Sequence, residues 1–371
     1  MAWPTIAAYA NPGHDTWDGA DPTALYLKKF SGEIIASMDR ALKVRPLVTT
    51  RTIDSGKSAQ FPVLGRATAG YHTRGTNILN EANGLLSMVE HAEKIIYVDK
   101  RLISAVLVDD VDEMLNHYDL RGPYAKQLGT AIGRQVDEQL INLAIIGARS
   151  PTILDDDNAY GGSNTKNGTF IYTGNGGGNT PIDTADEIIA ALTVMQWKMD
   201  EKEVDEEDRW CVMTPKYFRL LVDVTASTNS GVHLSHDYNL PNGSVAKGTV
   251  LQVAGFTILK TTGLVLAAAG TSGNAISSTG NVYDVQTKDA SLASGTVCVC
   301  FHTSGLGDLL LRGIGMEMKW YTEYQATLIL AKLLGGRNFL RAEACGEIWG
   351  PVALPTANPT GDIVEMDDLG Y

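Results

Sequence analysis

The chain has 371 residues, of which 44% are hydrophobic and 20% charged, with 38 glycines and a formal net charge of −13. Such an apolar fraction can offset the ordering entropy of folding, which excludes bulk disorder, and the length exceeds what one hydrophobic core usually serves, so two or more compact regions are expected. The acidic balance excludes a broad face that grips nucleic-acid phosphates, and the modest charge fraction suits a surface spent on contacts.

The most apolar stretch, Ile95 to Val111, is broken by Asp99, Lys100, Arg101, Asp109 and Asp110. It falls short of the ~20 apolar residues of a spanning helix, so no membrane segment is expected. Met1 to Ala10 has no basic region and contains Pro4, so no secretory leader is expected there. Four cysteines, Cys211, Cys298, Cys300 and Cys345, suit a reducing cytoplasm rather than a disulfide framework.

In chain order, residues 1–24 are rich in Pro, Gly and Asp without a period and predict an arm lying on something else. Leu25, Leu27, Phe30, Ile34, Ile35 and Met38 predict a short amphipathic helix after it. Ser58 to Leu64 and Glu93 to Val98 predict two strands. The 28 residues between them hold too few apolar side chains for a core, so a long hairpin reaching from the body is expected, with Pro62 on an edge strand. Gly122-Pro123 opens the clearest helix. Tyr124, Leu128, Ile132, Val136, Leu140 and Ala144 recur every four residues, joined by Ile141 and Ile145, and Gly147 is expected to close it. About 24 residues make a rod of roughly 36 Å, lying across a sheet by its apolar stripe.

Residues 155–181, mostly Asp, Asn, Gly and Thr, predict a loop at a domain boundary. Thr184 and Glu187 predict a capping box, followed by a helix with Ile188, Ile189, Leu192, Met195 and Met199 on one face. Arg209 to Thr214 predicts a buried strand, Pro215 a second helix start through Phe218, Leu221 and Val222, and Val250 to Leu259 a strand broken by Gly255. This order predicts a compact α/β region. Residues 263–296 are small and polar, with weak strands at best. From Met316 to Leu330, alternating residues predict one strand of about 50 Å, with one face buried and the other wet or against a partner. Pro351 to Tyr371 predicts a peripheral tail.

Motifs of chemistry are weak. SGKS at 55–58 lacks the earlier glycine of a phosphate-binding loop, which is Arg51 here, and a strand follows instead of a helix. Asp109, Asp110, Asp112 and Glu113, and separately Asp155 to Asp157, lack the spacing of a calcium loop; a helix start and a solvated loop account for them. Residues 200–208 hold seven acidic groups in nine and read as a solvated turn. Cys298 and Cys300, with His302 nearby, lack the second pair of a zinc site and read as buried structural thiols. His233 and His236 in HLSH do not make a metalloprotease motif, no G-x-S-x-G is present, and no enzyme is supported. Arg51, Lys57, Arg66 and Arg74 concentrate in the hairpin region, where they suit acidic patches on a neighbouring subunit.

Several segments are similar to one family. SGKSAQFPVLGR at 55–66, MLNHYDLR at 114–121, YAKQLG at 124–129, EIIAAL at 187–192, VAGFTILKTTGL at 253–264 and GGRNFLRAEACGEI at 335–348 occur in the family's order. They resemble the major capsid proteins of phage T7-like podoviruses. Ala342 stands where that family usually has Pro, and the first twenty residues, 155–181 and the tail beyond 350 depart from it. The resemblance implies an α+β, HK97-like capsid fold. Its parts would be an N-terminal arm (1–50), an extended hairpin loop (51–99), and a peripheral domain (100–181) with a spine helix at 123–147. An axial α/β domain (182–315), long antiparallel return strands (316–350) and a C-terminal tail (351–371) would follow.

The same resemblance implies a major capsid protein that is not an enzyme and takes no cofactor. It would assemble in the host bacterial cytoplasm as pentamers and hexamers of itself into an icosahedral virion shell. A scaffolding protein would guide assembly into a procapsid that expands on maturation. A portal protein would occupy one vertex, and double-stranded DNA would lie inside without sequence-specific binding. A decoration protein is a further candidate partner. The residues expected at subunit contacts are Lys57, Gln60, Phe61, Pro62, Val63, Leu64, Gly65 and Arg66 in the loop, and His117, Tyr118, Asp119 and Arg121 near the spine start. Holding the fold is the alternative role for each. The HK97 cross-link between a lysine and an asparagine is not part of the podovirus resemblance and is not assigned to Lys57. An encapsulin-type compartment shell with the same fold is the alternative function, and an α/β hydrolase the enzyme alternative.

Overall fold

The computed structural model describes residues 9–10, 43–64, 69–72, 74–75, 77–78, 91–115, 121–151, 167–172, 185–222, 243–244, 249–250, 252–264, 283, 296–350 and 362–365. In chain order come β1 (Tyr9–Ala10), β2 (Thr49–Thr52), β3 (Ser58–Leu64), β4 (His91–Tyr97), β5 (Leu102–Asp109), α1 (Asp110–Leu115), α2 (Arg121–Ala148), β6 (Thr169–Tyr172), α3 (Ala185–Glu201), β7 (Arg209–Met213) and α4 (Pro215–Val222). Then follow β8 (Gly243–Ser244), β9 (Thr249–Val250), β10 (Gln252–Val253), β11 (Phe256–Lys260), β12 (Thr296–His302), β13 (Leu306–Tyr321), β14 (Ala326–Phe339), β15 (Cys345–Trp349) and β16 (Asp362–Glu365). They form a five-stranded sheet, β1-β5-β14-β13-β2, and a seven-stranded sheet, β10-β11-β7-β12-β15-β6-β16, with ribbons β3-β4 and β8-β9.

The helix α2 ties the two sheets together. It has 28 residues, about 42 Å of rod, and starts at Arg121 rather than at the Gly-Pro pair. Leu128, Ile132 and Val136 of its stripe pack with Val108 of β5 and with Ile329, Ala331 and Leu333 of β14. The helix runs on to Val212, Val299, Phe301, Cys345 and Trp349 of the other sheet, so Leu140 to Ala148 are buried all round. The helix ends at Ala148, one residue past the expected Gly147. A Cβ on Gly147 would meet the Cys345 Sγ at 3.0 Å and its Cβ at 3.2 Å, so glycine lets the helix approach β15. Just beyond, Arg149 meets Glu347 with two 2.6 Å hydrogen bonds, from Nε and Nη2 to the two carboxylate oxygens. Thr296 Oγ1 donates a third at 2.5 Å, and the guanidinium lies 5.7 Å from the Phe170 ring and 5.5 Å from the Trp349 ring.

The α/β region has the expected elements. Ile188, Leu192, Met195 and Met199 of α3 are buried against Cys211 and Met213 of β7, with Phe218 and Leu221 of α4. The interruption at Gly255 is a reversal rather than a break. Ala254 and Gly255 take φ of 47° and 74°, and β10 folds back on β11 with Val253 opposite Phe256. Positive φ at both central residues matches the twist of a two-residue hairpin.

Four further expectations change. The alternation from Met316 to Leu330 spans two strands, because β13 ends at Tyr321 and β14 starts at Ala326. Across a four-residue turn, partners have opposite parity: Met316 faces Ala331, Met318 faces Ile329 and Trp320 faces Thr327. The even-numbered apolar residues of β13 and of β14 thus lie on opposite faces of the sheet, and Ile329 belongs to the core. The long strands also begin ten residues earlier than expected, at Leu306. Within 155–181, Thr169–Tyr172 is a fully buried strand parallel to β15. Within the tail, Asp362–Glu365 adds a parallel edge strand beside β6. The expected helix over 25–38 and the Thr184 cap lie outside the described residues.

Candidate assembly surfaces

The hairpin is present where the sequence places it. β3 and β4 pair antiparallel from Ser58 opposite Tyr97 to Leu64 opposite His91, a ribbon of about 24 Å. Pro62 sits in this two-stranded ribbon opposite Glu93, where a missing N–H leaves no central ladder incomplete. Among the described residues, the contacts of the ribbon with the body run from its root to Phe61 and Lys94. Ala59 and Ile96 are buried with Leu309 and Leu340. Val98 N donates to the Lys57 carbonyl at 2.8 Å, Ile53 N to that of Leu310 at 2.9 Å, and Asp99 N to that of Gly335 at 3.0 Å. Arg51 Nη1 donates to the Gln60 carbonyl at 3.0 Å, and its guanidinium lies 5.5 Å from the Phe61 ring. Lys94 Nζ lies 3.8 Å over the Phe339 ring. The Tyr283 hydroxyl donates to Asp99 and accepts from Arg337 N at 2.9 Å. Burial, together with the Asp99 charge, pushes the Tyr283 pKa far up, so the phenol remains a donor.

Beyond the root the ribbon is open. Phe61 and Val63 are half-buried, Lys57, Gln60 and Pro62 are exposed, and Leu64 is 63% exposed. The structure therefore brings six expected contact residues onto one segment. Gly65, Arg66, His117, Tyr118 and Asp119 lie outside the described residues, and Arg121 is the first residue of α2.

A second surface was not singled out by sequence. On β13, Met316 is 46% exposed, Met318 64% and Trp320 44%. Their partners on β14 are residues of the α2 side, and the Met316 Cε lies 3.7 Å from the Cβ position of Gly129 in α2. The helix covers β14 and β5 and reaches Met316 at its edge, but leaves much of this strip exposed. The strand edge is open as well. β2 pairs with β13 only from Gly307 to Leu310, and among the described residues no strand pairs with the outer edge from Arg312 to Tyr321. Exposed Val111, Met114 and Leu115 of α1 lie near the same end, where Asp110 N donates to the Gln325 carbonyl. On the opposite face Glu317 pairs with Lys332, and that contact lowers the Glu317 pKa.

Members of two acidic runs have structural partners, and Asp155 to Asp157 lie outside the described residues. Asp109 Oδ1 accepts from Val111 N at 2.9 Å at the start of α1. Asp200 pairs with Arg209 at 2.7 Å, and Glu201 with Lys198 at 3.1 Å. SGKS runs directly into β3. Among the described residues, no helix is long and apolar enough to cross a membrane.

The family model for Gp10A-like major capsid proteins matches residues 60–349. The chain is 29% identical over 345 residues to the major capsid protein of Enterobacteria phage T3, covering 89% of this chain and 92% of that one. It is 28% identical over 354 residues to the major capsid protein of Escherichia phage T7, covering 91% and 95%. The solved capsid structure of Cyanophage P-SCSP1u superposes with a TM-score of 0.69 at 28% identity, over 92% of this chain and 98% of that one. With an HK97-like fold and a family match that takes in strands of both sheets, the chain belongs to the Gp10A-like major capsid proteins and is a structural component of a phage shell.

Proposed function

We propose that this chain tiles an icosahedral shell as pentamers and hexamers of itself, enclosing double-stranded DNA. The observation that carries this reading is a complementary pair of unfinished surfaces in one subunit: among the described residues, a hairpin whose outer part is exposed, and an apolar strip on β13 beside an open edge. The hairpin of one copy lies over the strip of its neighbour. Full burial of a large apolar side chain contributes ~1.5–3 kcal/mol, so each half-exposed residue leaves on the order of 1 kcal/mol to gain. Contacts this small suffice when a closed shell repeats them around every subunit.

In this proposal residues 1–50 are the arm, 51–99 the extended loop and 100–181 the peripheral domain with α2 as its spine. Residues 182–315 are mostly the axial domain, with the first part of β13 belonging to the long strands that return through 316–350, and 351–371 are the tail. Lys57, Gln60 to Arg66, His117 to Asp119 and Arg121 are contact residues. A scaffolding protein guides closure in the host cytoplasm, a portal protein takes one vertex, and expansion on DNA packaging shifts the arm and spine between two packings. The net charge of −13 favours an interior along which DNA slides without sequence readout. A compartment shell around protein cargo is the weaker reading, since the matching family and relatives are phage capsid proteins.

Negative-stain microscopy of the protein expressed with and without its scaffolding partner tests the reading. Closed, uniform shells, or hexamers that close when scaffold is added, are the expected result; dispersed monomers under both conditions would contradict it. Shells purified from infected cells should contain DNA rather than enzyme cargo. Phe61→Ala should leave subunits soluble and folded by circular dichroism while lowering shell yield several-fold. Loss of the folded spectrum would assign Phe61 to the fold instead.

A further inference from the structure

Three thiols distant in sequence meet inside the seven-stranded sheet. Cys211 of β7 lies directly opposite Cys300 of β12, and Cys298 is two residues away on the same strand and face. The three sulfurs lie within 4.8 Å of one another, and all three side chains are fully buried. A thioether lies close by: Gly346 pairs with Cys300, and a Cβ on Gly346 would come within 2.3 Å of the Met195 Sδ. His302 is turned away, with Nδ1 2.8 Å from the Ser304 hydroxyl, so the converging donors are sulfur alone.

We propose that Cys211, Cys298 and Cys300 form a site for a monovalent thiophilic cation of the copper(I) class. Hard cations require oxygen ligands, which this cluster lacks. Zinc requires a fourth ligand, and among the described residues no fourth His, Cys, Asp or Glu donor converges here. Soft sulfur donors select copper(I). A metal–sulfur bond of ~2.3 Å in a trigonal site sets the sulfurs about 4 Å apart, so closing from within 4.8 Å needs a contraction of less than about 1 Å.

Binding breaks three S–H bonds, forms three copper–sulfur bonds and releases the three thiol protons to solvent, because the thiolate is the ligand, with no change of oxidation state. Cys345 is buried elsewhere, against Gly147 of α2, and provides an internal control. The inference does not depend on how subunits assemble.

The test supplies copper(I) anaerobically, both during expression in copper-supplemented cells and to the purified full-length protein against a copper(I)-selective chelator. Elemental analysis should find about one copper per chain, and X-ray absorption should find sulfur ligands only. Cys298→Val, of similar volume and strand preference, and Cys300→Ala should each weaken binding at least tenfold with the folded circular dichroism spectrum retained. Cys345→Ala should bind as the unmodified chain does. The proposal is overturned by no retained copper from either route, by undiminished binding in a folded Cys298→Val chain, or by stoichiometric zinc in place of copper.

Discussion

Met318→Asp should give folded, soluble subunits that no longer close into shells. Met318 is 64% exposed in the subunit, and surface substitutions away from special contacts usually change stability by less than about 0.5 kcal/mol. In the proposed shell the same position lies under a neighbouring hairpin, where an unpaired carboxylate costs several kcal/mol. That cost recurs at every subunit, so closure should fail rather than weaken. Sedimentation of expressed material, with circular dichroism of the unassembled fraction, reads both halves of the prediction. If the substitution unfolded or aggregated the subunit, the strip would belong to the subunit's own fold, and the proposed contact would be wrong.

Arg149→Met should remove about 3–5 kcal/mol from the stability of the unassembled subunit. The arginine is 11% and Glu347 0% exposed, so the substitution leaves a carboxylate in the core with only the Thr296 hydroxyl in place of three donors. Against a typical total of 5–15 kcal/mol this is a large share. The pair also fixes the end of α2 to β15, so its loss should loosen the joint between the sheets. Combining Arg149→Met with Glu347→Leu should recover much of the loss, because replacing both charges removes the uncompensated one. Urea unfolding of the three variants checks this; a loss below about 1 kcal/mol for the single change would mean that Glu347 finds other partners.

The elements with strong local periodicity were legible in the sequence. The four-residue spacing from Tyr124 to Ala144 is the buried stripe of α2, and SAQFPVL with EKIIY is the hairpin. Non-local features were not legible. The turn between β13 and β14, Thr322 to Gln325, contains no Gly, Pro, Asn or Asp, and Gln325 itself takes the positive φ of 47°. An uninterrupted alternation therefore hid a reversal and the change of face that goes with it. Gly147 read as a helix stop because close helix–strand packing and chain termination both select glycine. Four buried residues, Thr169 to Tyr172, were lost among glycines and asparagines. The exposed strip depends on how much of the sheet α2 covers, and the thiol cluster depends on pairing between β7 and β12; neither is a local property.

The most direct measurement is an electron cryo-microscopy reconstruction of the closed shell, read at Met316, Met318 and Trp320. The account predicts that a neighbouring copy covers these side chains, with its β3–β4 ribbon lying across them. A closed shell in which they face solvent, and the ribbon rests on its own subunit, would contradict it.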